Sequence, residues 1–394
     1  MFETIAIAPP DAILGLTDAF QQDTNPEKIN LSVGVYKDAN GQTPVLRAVK
    51  EAEQKILETQ TSKSYLGIDG LPGYCDQVAK MLFADQIDRK RLAILQTPGG
   101  TGAVRIAGEF VGSQFAGSKV WISNPTWANH PAIFHSAGVA TEQYRYLNGD
   151  RTGLDFDALL EDLSSGPVPG DAVLLHACCH NPTGVDPTAD QWRQIAELLK
   201  AQKLLPIVDF AYQGFGQGLQ EDAEGLRILV ETCPEILVCS SFSKNFGLYS
   251  ERVGALTLVA QEPAAASAAL SQLKRLVRTN YSNPPRHGAT IVATILQDPQ
   301  LTETWETELT EMRNRIAGMR TRFVQQMKTA GVNRDFQFLL QQNGMFSFSG
   351  LNPMQVDELR SKHSVYIVGS GRINVAGMTE HNLPRLATAI AAVL

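Results

Sequence analysis

The chain has 394 residues, of which 43% are hydrophobic, and this length is typical of two domains with a large buried core. Its formal net charge is −7, which argues against a nucleic-acid or anionic-membrane partner, because either would favour a basic face. No apolar run reaches the roughly 18 residues of a membrane span, and the first residues do not combine a basic segment with an apolar one. We therefore expect a cytoplasmic protein.

Five cysteines form an odd set without the spacing of a disulfide framework, which favours a reducing compartment. Two of them occur in the segment His176-x-Cys178-Cys179-His180, which resembles a metal cluster. On a strand, adjacent cysteines would point to opposite faces, and this geometry does not favour a shared zinc ion. We predict core or pocket-wall packing for these thiols and no metal site.

The N-terminal region contains a Pro9-Pro10 arm, a helix-like pattern around Leu14 and an apolar segment at 29–36. The apolar segment is typical of a strand that Gly34 interrupts, where the backbone could approach a ligand; a plain bulge is the alternative. Pro44 then opens a predicted helix whose apolar residues are at 45, 46, 49, 52, 56 and 57.

A glycine-rich segment, Thr97 to Gly102, separates a predicted strand at 92–96 from a predicted helix at 103–115. A strand, a glycine turn and a helix bring free backbone N–H groups and the helix dipole to one point, which is typical of an anion site. The segment matches neither the Walker lysine pattern nor G-x-G-x-x-G, which argues against a nucleotide. A tight turn without a ligand is the alternative.

Four further apolar runs follow, with helical patterns between several of them. The runs lie at 120–122, 172–175, 205–209 and 236–239. This alternation predicts a mainly parallel sheet covered by helices on both faces, with ligands at the carboxyl ends of the strands. Asp209 ends the third run, Trp127, Asn181, Tyr212 and Lys244 come shortly after the runs, and we expect the chemistry at these residues.

Lys244 follows one buried apolar run and precedes another, so it should occupy a turn between two core strands. Desolvation lowers the pKa of a buried lysine and leaves an amine that can attack a carbonyl carbon. Ser241, Ser243 and Arg252 would donate hydrogen bonds to a phosphate beside this amine. The combination suggests pyridoxal phosphate, and a solvated loop lysine near two serines is the alternative.

Three further segments, between residue 214 and the end of the sequence, complete the predicted elements. The segment 214–218 resembles a dinucleotide site, but Leu219 replaces the third glycine, so a turn before a helix near Glu221 is predicted. Apolar residues spaced by three or four from 300 to 330 predict one long amphipathic helix that connects two domains. Residues 331–394 predict short strands and a final helix.

Together these segments resemble class I pyridoxal-phosphate aminotransferases, and within that family the aspartate and aromatic amino acid aminotransferases. The resemblance extends from Phe2 to Leu394. Its most specific segments are CCHNPTG at 178–184, DFAYQGF at 209–215, SKNFGLYSERVG at 243–254, NYSNPP at 280–285 and SGRINVAG at 370–377. Arg286 and His363 depart from the family pattern.

The resemblance implies an α/β fold. Its large domain would contain a mainly parallel seven-stranded sheet flanked by helices and would span 45–311, including the start of the long connecting helix. A smaller α+β domain would comprise 13–44 and 312–394. Residues 1–12 would form an arm on a partner subunit, because the family forms two-fold homodimers with shared active sites.

The resemblance also implies pyridoxal 5′-phosphate as the cofactor and assigns three catalytic residues. Lys244 would hold the cofactor covalently and, once displaced, move the substrate proton. Asp209 would pair with the pyridine nitrogen, with His130 behind it. Tyr212 and Asn181 would hydrogen-bond the phenolate oxygen of the cofactor.

The remaining implied contacts bind the phosphate, the ring and the substrate. Trp127 would stack on the cofactor ring, with core packing as the alternative, and Gly34 would approach the substrate. Arg372 would bind the α-carboxylate, and Arg278 of a second subunit the distal carboxylate, although Arg278 also fits an exposed helix face. The phosphate would be bound by Gly100, Thr101, Ser241, Ser243, Arg252 and, from the second subunit, Tyr65.

The implied reaction is ping-pong transamination of L-aspartate and 2-oxoglutarate to oxaloacetate and L-glutamate. A dual aspartate and aromatic amino acid aminotransferase is the nearest alternative, because related aromatic enzymes keep both arginines. A nucleotide-dependent dehydrogenase lacks the third glycine and has no use for Lys244. A non-catalytic protein of the same fold would not need Asp209 together with two arginines.

Overall fold

The computed structural model describes residues 1–7, 14–84 and 86–394. The helices are α1 (Leu14–Gln22), α2 (Arg47–Thr59), α3 (Pro72–Phe83), α4 (Gly99–Gln114), α5 (His130–Ser136), α6 (Phe156–Ser165), α7 (Ala189–Gln202), α8 (Glu224–Thr232), α9 (Pro263–Asn280), α10 (Arg286–Gln297), α11 (Pro299–Thr329), α12 (Pro353–His363) and α13 (Leu383–Val393). The strands are β1 (Ile29–Asn30), β2 (Leu92–Pro98), β3 (Val120–Asn124), β4 (Thr141–Arg145), β5 (Ala172–His176), β6 (Leu205–Phe210), β7 (Ile236–Ser241), β8 (Val253–Val259), β9 (Phe346–Phe348), β10 (Val365–Tyr366) and β11 (Arg372–Asn374).

Seven strands form the main sheet in the order β2-β8-β7-β6-β5-β3-β4. Strand β8 runs antiparallel to both of its neighbours, and the other six strands run parallel to one another. The inner strands are buried along their whole length because helices cover both faces, and this explains their nearly continuous apolar sequences. The predicted α/β fold with a mainly parallel seven-stranded sheet is confirmed.

Alternate side chains of each strand belong to two separate layers of the core. On β6, Ile207 packs in a cluster with residues of α4, α5 and α9, whereas Val208 packs in a larger cluster with residues of α2, α3, α7, α8 and α10. This division follows from the two-residue period of a strand. The carboxyl ends of the strands are thereby held between two helical layers.

The long helix α11 links the main sheet to the C-terminal region. Its 31 residues span about 46 Å at the usual rise per residue, and all eight apolar residues of its predicted face are buried. Near the end of α11 lie two small sheets, in which β1 pairs parallel with β10 and β9 pairs antiparallel with β11. The boundaries of the two domains stay a prediction.

Several local predictions were wrong. The segment 29–36 is a strand only at Ile29–Asn30, and α2 begins at Arg47, three residues after Pro44, with Val45 and Leu57 exposed rather than packed. Helix α4 begins at Gly99, because the glycine segment forms its first turn instead of a separate loop. Strand β4 was missed, since most of its residues are polar and lie at the exposed edge of the sheet.

The Pro9-Pro10 arm lies outside the described residues, whereas Met1, Phe2, Ile5 and Ile7 are described and are exposed. Within the described ranges, the model contains no helix that is both long and apolar enough to cross a bilayer.

Candidate active site

The site is a cavity at the carboxyl ends of β6 and β7, opposite the first turn of α4. This is the edge at which open parallel sheets bind ligands. Twelve of the predicted site residues line the cavity: Gly34, Gly100, Thr101, Trp127, Asn181, Asp209, Tyr212, Ser241, Ser243, Lys244, Arg252 and Arg372.

Lys244 lies in the predicted turn between β7 and β8, and its Nζ is 4.9 Å from the centre of the Tyr212 ring. Burial disfavours the ammonium form and lowers the pKa of Lys244 to about 8, against an opposing effect of the Asp209 carboxylate. An uncharged amine is the form that attacks a carbonyl carbon. The fold therefore buries an amine that is partly deprotonated near neutral pH.

Asp209 is a buried carboxylate on β6 that two imidazoles approach. Its Oδ2 lies 3.2 Å from His130 Nε2 and 3.9 Å from His176 Nε2, and His176 is its neighbour across the β5–β6 ladder. Burial would raise the pKa of Asp209, but the close approach of His130 and the nearby Lys244 outweigh burial and hold this pKa below its ordinary value. The carboxylate is therefore ionised and can hold a protonated ring nitrogen.

The two imidazoles behind Asp209 differ in their partners. His130 Nδ1 lies 2.8 Å from the Thr126 hydroxyl, which fixes the ring, and Trp127 packs edge-on against it with ring centres 5.2 Å apart. Burial lowers the pKa of His176 to about 3, so this ring is neutral. His176 therefore lies beside the Asp209 carboxylate as an uncharged ring.

The start of α4 and the Lys244 loop together form an anion cradle. Gly99 has a φ of +73°, a backbone conformation suited to glycine, and it leads into the first turn at Gly100 and Thr101. Arg252 Nη1 donates to the Ser243 hydroxyl at 3.3 Å, which brings the guanidinium to the cradle. A Cβ at Gly100 would lie 3.0 Å from Ser241 Cβ and would narrow the cradle. Free helix N–H groups, hydroxyls and a guanidinium fit a phosphate.

A polar pair lies between the cradle and the substrate end of the cavity. Asn181 Nδ2 donates to the Tyr212 hydroxyl at 3.4 Å, and Asn181 Oδ1 is buried without a hydrogen-bond partner among the described residues. Buried polar atoms are normally paired, so this side of the cavity is built for a polar ligand atom. The donor set of the cavity fits pyridoxal phosphate.

Arg372, the first residue of β11, closes the other end of the cavity. Its side chain is 5% exposed, its Nη2 donates to the Ser32 carbonyl at 2.6 Å, and its Nε has no hydrogen-bond partner within the described ranges. Its guanidinium lies 4.2 Å from the centre of the Phe346 ring. No described carboxylate pairs with Arg372, so its charge is complementary to that of an acidic substrate.

Two predicted site residues do not line the cavity. Tyr65 is 89% exposed in the loop before α3. Arg278 lies on an exposed face of α9, where its Nη1 donates to the Ser282 hydroxyl at 2.6 Å. Their assignment to the active site of a partner subunit stays a prediction.

Sequence reasoning missed three lining residues: Ala211, Tyr249 and Phe346. Ala211 and Tyr249 lie inside two of the quoted segments, so their positions beside Asp209 and Lys244 were the available signal. The Tyr249 hydroxyl accepts a hydrogen bond from the Tyr36 N–H at 2.8 Å and so connects the Lys244 loop to the Gly34 loop. Phe346 lies on a predicted strand, and no sequence signal separated it from a core residue.

The geometric reason given for excluding a metal at Cys178 and Cys179 was wrong. The two residues follow β5 rather than extend it, and Cys179 has a φ of 51°, so the strand alternation does not apply. Both thiols lie within 4.8 Å of an Asp222 oxygen and of each other. Asp222 accepts the backbone N–H groups of Gly214, Gly216 and Gln217, and this holds the turn before α8.

Comparison with known proteins adds to this geometry. The family model described as aminotransferase class I and II matches residues 26–390. The aspartate aminotransferase of Escherichia coli is 53% identical, and the alignment covers 100% of both chains. The aromatic-amino-acid aminotransferase of Pseudomonas aeruginosa is 47% identical, with 100% of this chain and 98% of the relative covered.

The fold is also similar to that of a solved aminotransferase structure. The aromatic-amino-acid aminotransferase from Burkholderia pseudomallei, covalently bound to pyridoxal phosphate, is similar with a TM-score of 0.97 and 47% identity. The match covers 100% of this chain and 99% of the other.

Proposed function

The chain belongs to the class I and II aminotransferase family, and we propose that it interconverts L-aspartate and 2-oxoglutarate with oxaloacetate and L-glutamate, using pyridoxal phosphate, by a ping-pong mechanism. The observation that carries this proposal is one cavity with a buried amine of lowered pKa, an ionised carboxylate and a buried guanidinium without a carboxylate partner among the described residues. The E. coli relative supports the choice of aspartate.

The proposed cofactor contacts fall into two groups, one that binds the phosphate and one that binds the ring. The first turn of α4, Ser241, Ser243 and Arg252 would bind the phosphate, and Lys244 would hold the cofactor covalently. Asp209 would pair with the ring nitrogen, because its ionised state favours a proton there. When bound, pyridoxal phosphate supplies an electron sink for the negative charge that develops on the substrate α-carbon.

The proposed proton transfer depends on Lys244 after the substrate has displaced it. A pKa of about 8 places this amine close to the operating pH, and such a match is what efficient general acid–base catalysis requires. Tyr212 and Asn181 would orient the phenolate edge of the ring, and Trp127 would cover its face. Together they would keep the α-carbon within reach of the amine.

The proposed substrate contacts are two arginines. Arg372 would bind the α-carboxylate as a bidentate pair, close to the backbone of Gly34. Arg278 of a partner subunit would bind the distal carboxylate, and Tyr65 of that subunit would reach the phosphate. A two-fold homodimer is therefore part of the proposal, since a single chain leaves both side chains outside the cavity. A cytoplasmic location remains our prediction from the sequence.

Replacing the amine tests the proposal. We expect purified wild-type protein to show the visible absorption of a lysine-bound pyridoxal phosphate and to transaminate aspartate. Lys244→Ala should lose that band and at least about 10⁴-fold in kcat, because nucleophile and base are one residue. Lys200→Ala, on the exposed face of α7, is the matched control. Full turnover by Lys244→Ala would refute the assignment.

A dual aspartate and aromatic amino acid aminotransferase is the second candidate. The relatives from P. aeruginosa and B. pseudomallei favour it, since both are named for aromatic amino acids. The ratio of kcat/KM for aspartate to that for phenylalanine decides between the two. A ratio well above 100 supports the aspartate enzyme, whereas a ratio near one supports dual specificity.

A further inference from the structure

One arginine outside the cavity is buried as deeply as Arg372. Arg320, on the last third of α11, is 5% exposed, and burial lowers its pKa to about 10. Within the described ranges no carboxylate forms an ion pair with it. Cys179 and Asp186 act on the Arg320 charge from beyond ion-pair distance and offset only part of the effect of burial, so the hydrogen bonds of Arg320 must help to compensate for burying its charge.

Those contacts are three oxygens of one short segment. Arg320 Nη2 donates to the carbonyls of Gly344 and, at 3.2 Å, Phe346, while its Nε donates to the Ser347 hydroxyl at 3.2 Å. A planar guanidinium fixes such a set in direction as well as distance. Arg320 thus attaches the segment 344–347 to the long helix.

The segment 344–347 includes the first two residues of β9, and β9 pairs with β11. Phe348 lies opposite Arg372 in this ladder, and Ser347 lies opposite Ile373. A two-stranded sheet of three residues per strand has little stability of its own, so its position depends on what anchors it. Arg320 is an anchor on the β9 side.

The Phe346 ring makes a second connection to the substrate end of the cavity. It lies 4.2 Å from the Arg372 guanidinium, and a Cβ on Gly34 would be only 2.8 Å from its Cζ. The ring is therefore in close contact with both the arginine and the Gly34 loop. A displacement of Phe346 would therefore change the packing around both Arg372 and the Gly34 loop.

We propose that Arg320 is a positioning residue for substrate carboxylate binding, which it supports by fixing the segment 344–347 and thereby Phe346 and Arg372. This inference rests on the proposed role of Arg372. It makes the affinity for a carboxylate depend on a residue that touches neither substrate nor cofactor. Lysine cannot replace Arg320, because an ammonium lacks the planar fork that serves three oxygens.

The experiment measures binding of succinate, a dicarboxylate without an amino group, to the cofactor-loaded enzyme by calorimetry. Arg320→Met and Arg320→Lys should weaken succinate binding about 10- to 100-fold, the loss that a misplacement of about 1 Å causes. The visible cofactor band should be retained, since the cradle does not include this segment. Arg322→Met, an exposed position two residues later on α11, should bind succinate as wild type does.

Ser347→Ala keeps the experiment informative if both Arg320 variants fail to fold. It removes one acceptor of the guanidinium and should weaken succinate binding by a smaller factor with the cofactor band intact. Unchanged succinate affinity in every foldable variant of Arg320 and Ser347 would overturn the inference.

A double-mutant cycle with Arg372→Lys separates positioning from general damage. If Arg320 acts through Arg372, then Arg320→Met should cost much less succinate affinity in the Arg372→Lys background than in the wild type. Fully additive losses would overturn the inference while leaving Arg372 as the binding residue. Unchanged succinate affinity in Arg372→Lys alone would instead refute the proposed role of Arg372, and the inference with it.

Discussion

At the scale of single residues, the site depends on two groups whose protonation states are set in opposite ways. Lys244 is partly uncharged because burial opposes its ammonium form, whereas Asp209 is charged because His130 and Lys244 outweigh the effect of burial. Transamination needs an amine that loses its proton readily and an ionised carboxylate in the same cavity, and Lys244 and Asp209 have these properties.

The lowered pKa of Lys244 predicts a pH dependence of stability for the cofactor-free protein. Between pH 8 and 10.5 the unfolded lysine keeps its proton while the folded one has lost it, so the free energy of unfolding should rise with pH. Below pH 8 the buried charge costs about 3 kcal/mol. Cofactor-free Lys244→Met should therefore be more stable than wild type at pH 7.

Urea unfolding of the two cofactor-free proteins between pH 7 and 10.5 measures this difference. The stability advantage of Lys244→Met should fall steadily across the range and be smallest at pH 10.5. An advantage that stays constant with pH would contradict the assignment of the shift to burial of Lys244.

Arg278 gives a prediction about specificity. Its guanidinium is exposed in the single chain and would be buried against the distal carboxylate in the dimer. Arg278→Ala should reduce kcat/KM for aspartate by about 10²-fold or more, with a much smaller loss for phenylalanine, which has no distal charge. Arg275→Ala, one turn earlier on α9, is the control. Equal losses on both substrates would remove Arg278 from the distal pocket.

The residues that could be predicted share one property: they are polar, and they follow strands or lie in turns where burial is costly unless a partner or ligand is bound. The convergence of Asp209, Asn181 and Lys244 on one cavity could be predicted in this way, because the carboxyl ends of parallel strands lie at the same edge of the sheet. The place of Phe346 in the cavity could not be predicted from the sequence. Its ring contacts Arg372 and also Gly34, which lies more than three hundred residues away in the chain. Such contacts exist only after folding.

At the scale of elements, the anion cradle depends on how closely β8 passes beneath α4. A Cβ on Gly254 would lie 2.4 Å from the carbonyl carbon of Gly99, the first residue of the helix. Glycine at 254 therefore permits the strand to support the helix start directly. The cradle geometry is a property of this pair of elements rather than of the glycine segment alone.

Gly254→Ala tests that relation. The added methyl must displace backbone, so we expect an affinity for pyridoxal phosphate at least about 10-fold weaker and about 1–3 kcal/mol of lost stability. Gly318→Ala is the control, because a Cβ there meets nothing within 4 Å among the described residues. That variant should gain about 0.5–1 kcal/mol and keep its cofactor affinity. Unchanged affinity in Gly254→Ala would show that the helix start adjusts freely.

Element boundaries were the weaker part of the sequence prediction. The apolar core strands and α11 were recognised because their buried faces are nearly continuous. Strand β4 has one buried tyrosine in five residues, so its pairing at the sheet edge left little pattern to detect. The start of α4 was placed too late, because glycines that usually mark a turn are here the first residues of the helix.

At the scale of the whole molecule, the cavity is built by residues from both ends of the chain. The Gly34 loop is held by Asn374, whose Nδ2 donates to the carbonyls of Val33 and Val35, and by Arg372, which donates to Ser32. The cofactor side belongs to the central sheet. Substrate affinity and cofactor affinity should therefore respond to different sets of substitutions.

Two predicted site residues, Tyr65 and Arg278, lie outside the cavity of their own chain. If they complete the site of a partner subunit, dimers assembled from two different inactive variants should recover activity. In the proposed dimer, Lys244 of one subunit acts with Arg278 of the other. A hybrid of Lys244→Ala and Arg278→Ala chains would contain one site with both native residues. Random exchange of subunits between the two variants should then restore about a quarter of wild-type aspartate activity, because half of the dimers are hybrids with one complete site of two.

The control is a mixture of Lys244→Ala and Asp209→Ala chains. Both residues line the cavity of their own chain, so every site in such a hybrid lacks one of them and no activity should return. Co-expression with two affinity tags isolates the hybrids, and the measurement is aspartate turnover per hybrid, which should be about half that of the wild-type dimer. Activity no greater than the sum of the parent variants in the first mixture would mean that each chain completes its own site, and Arg278 would then have to reach the cavity from within the subunit.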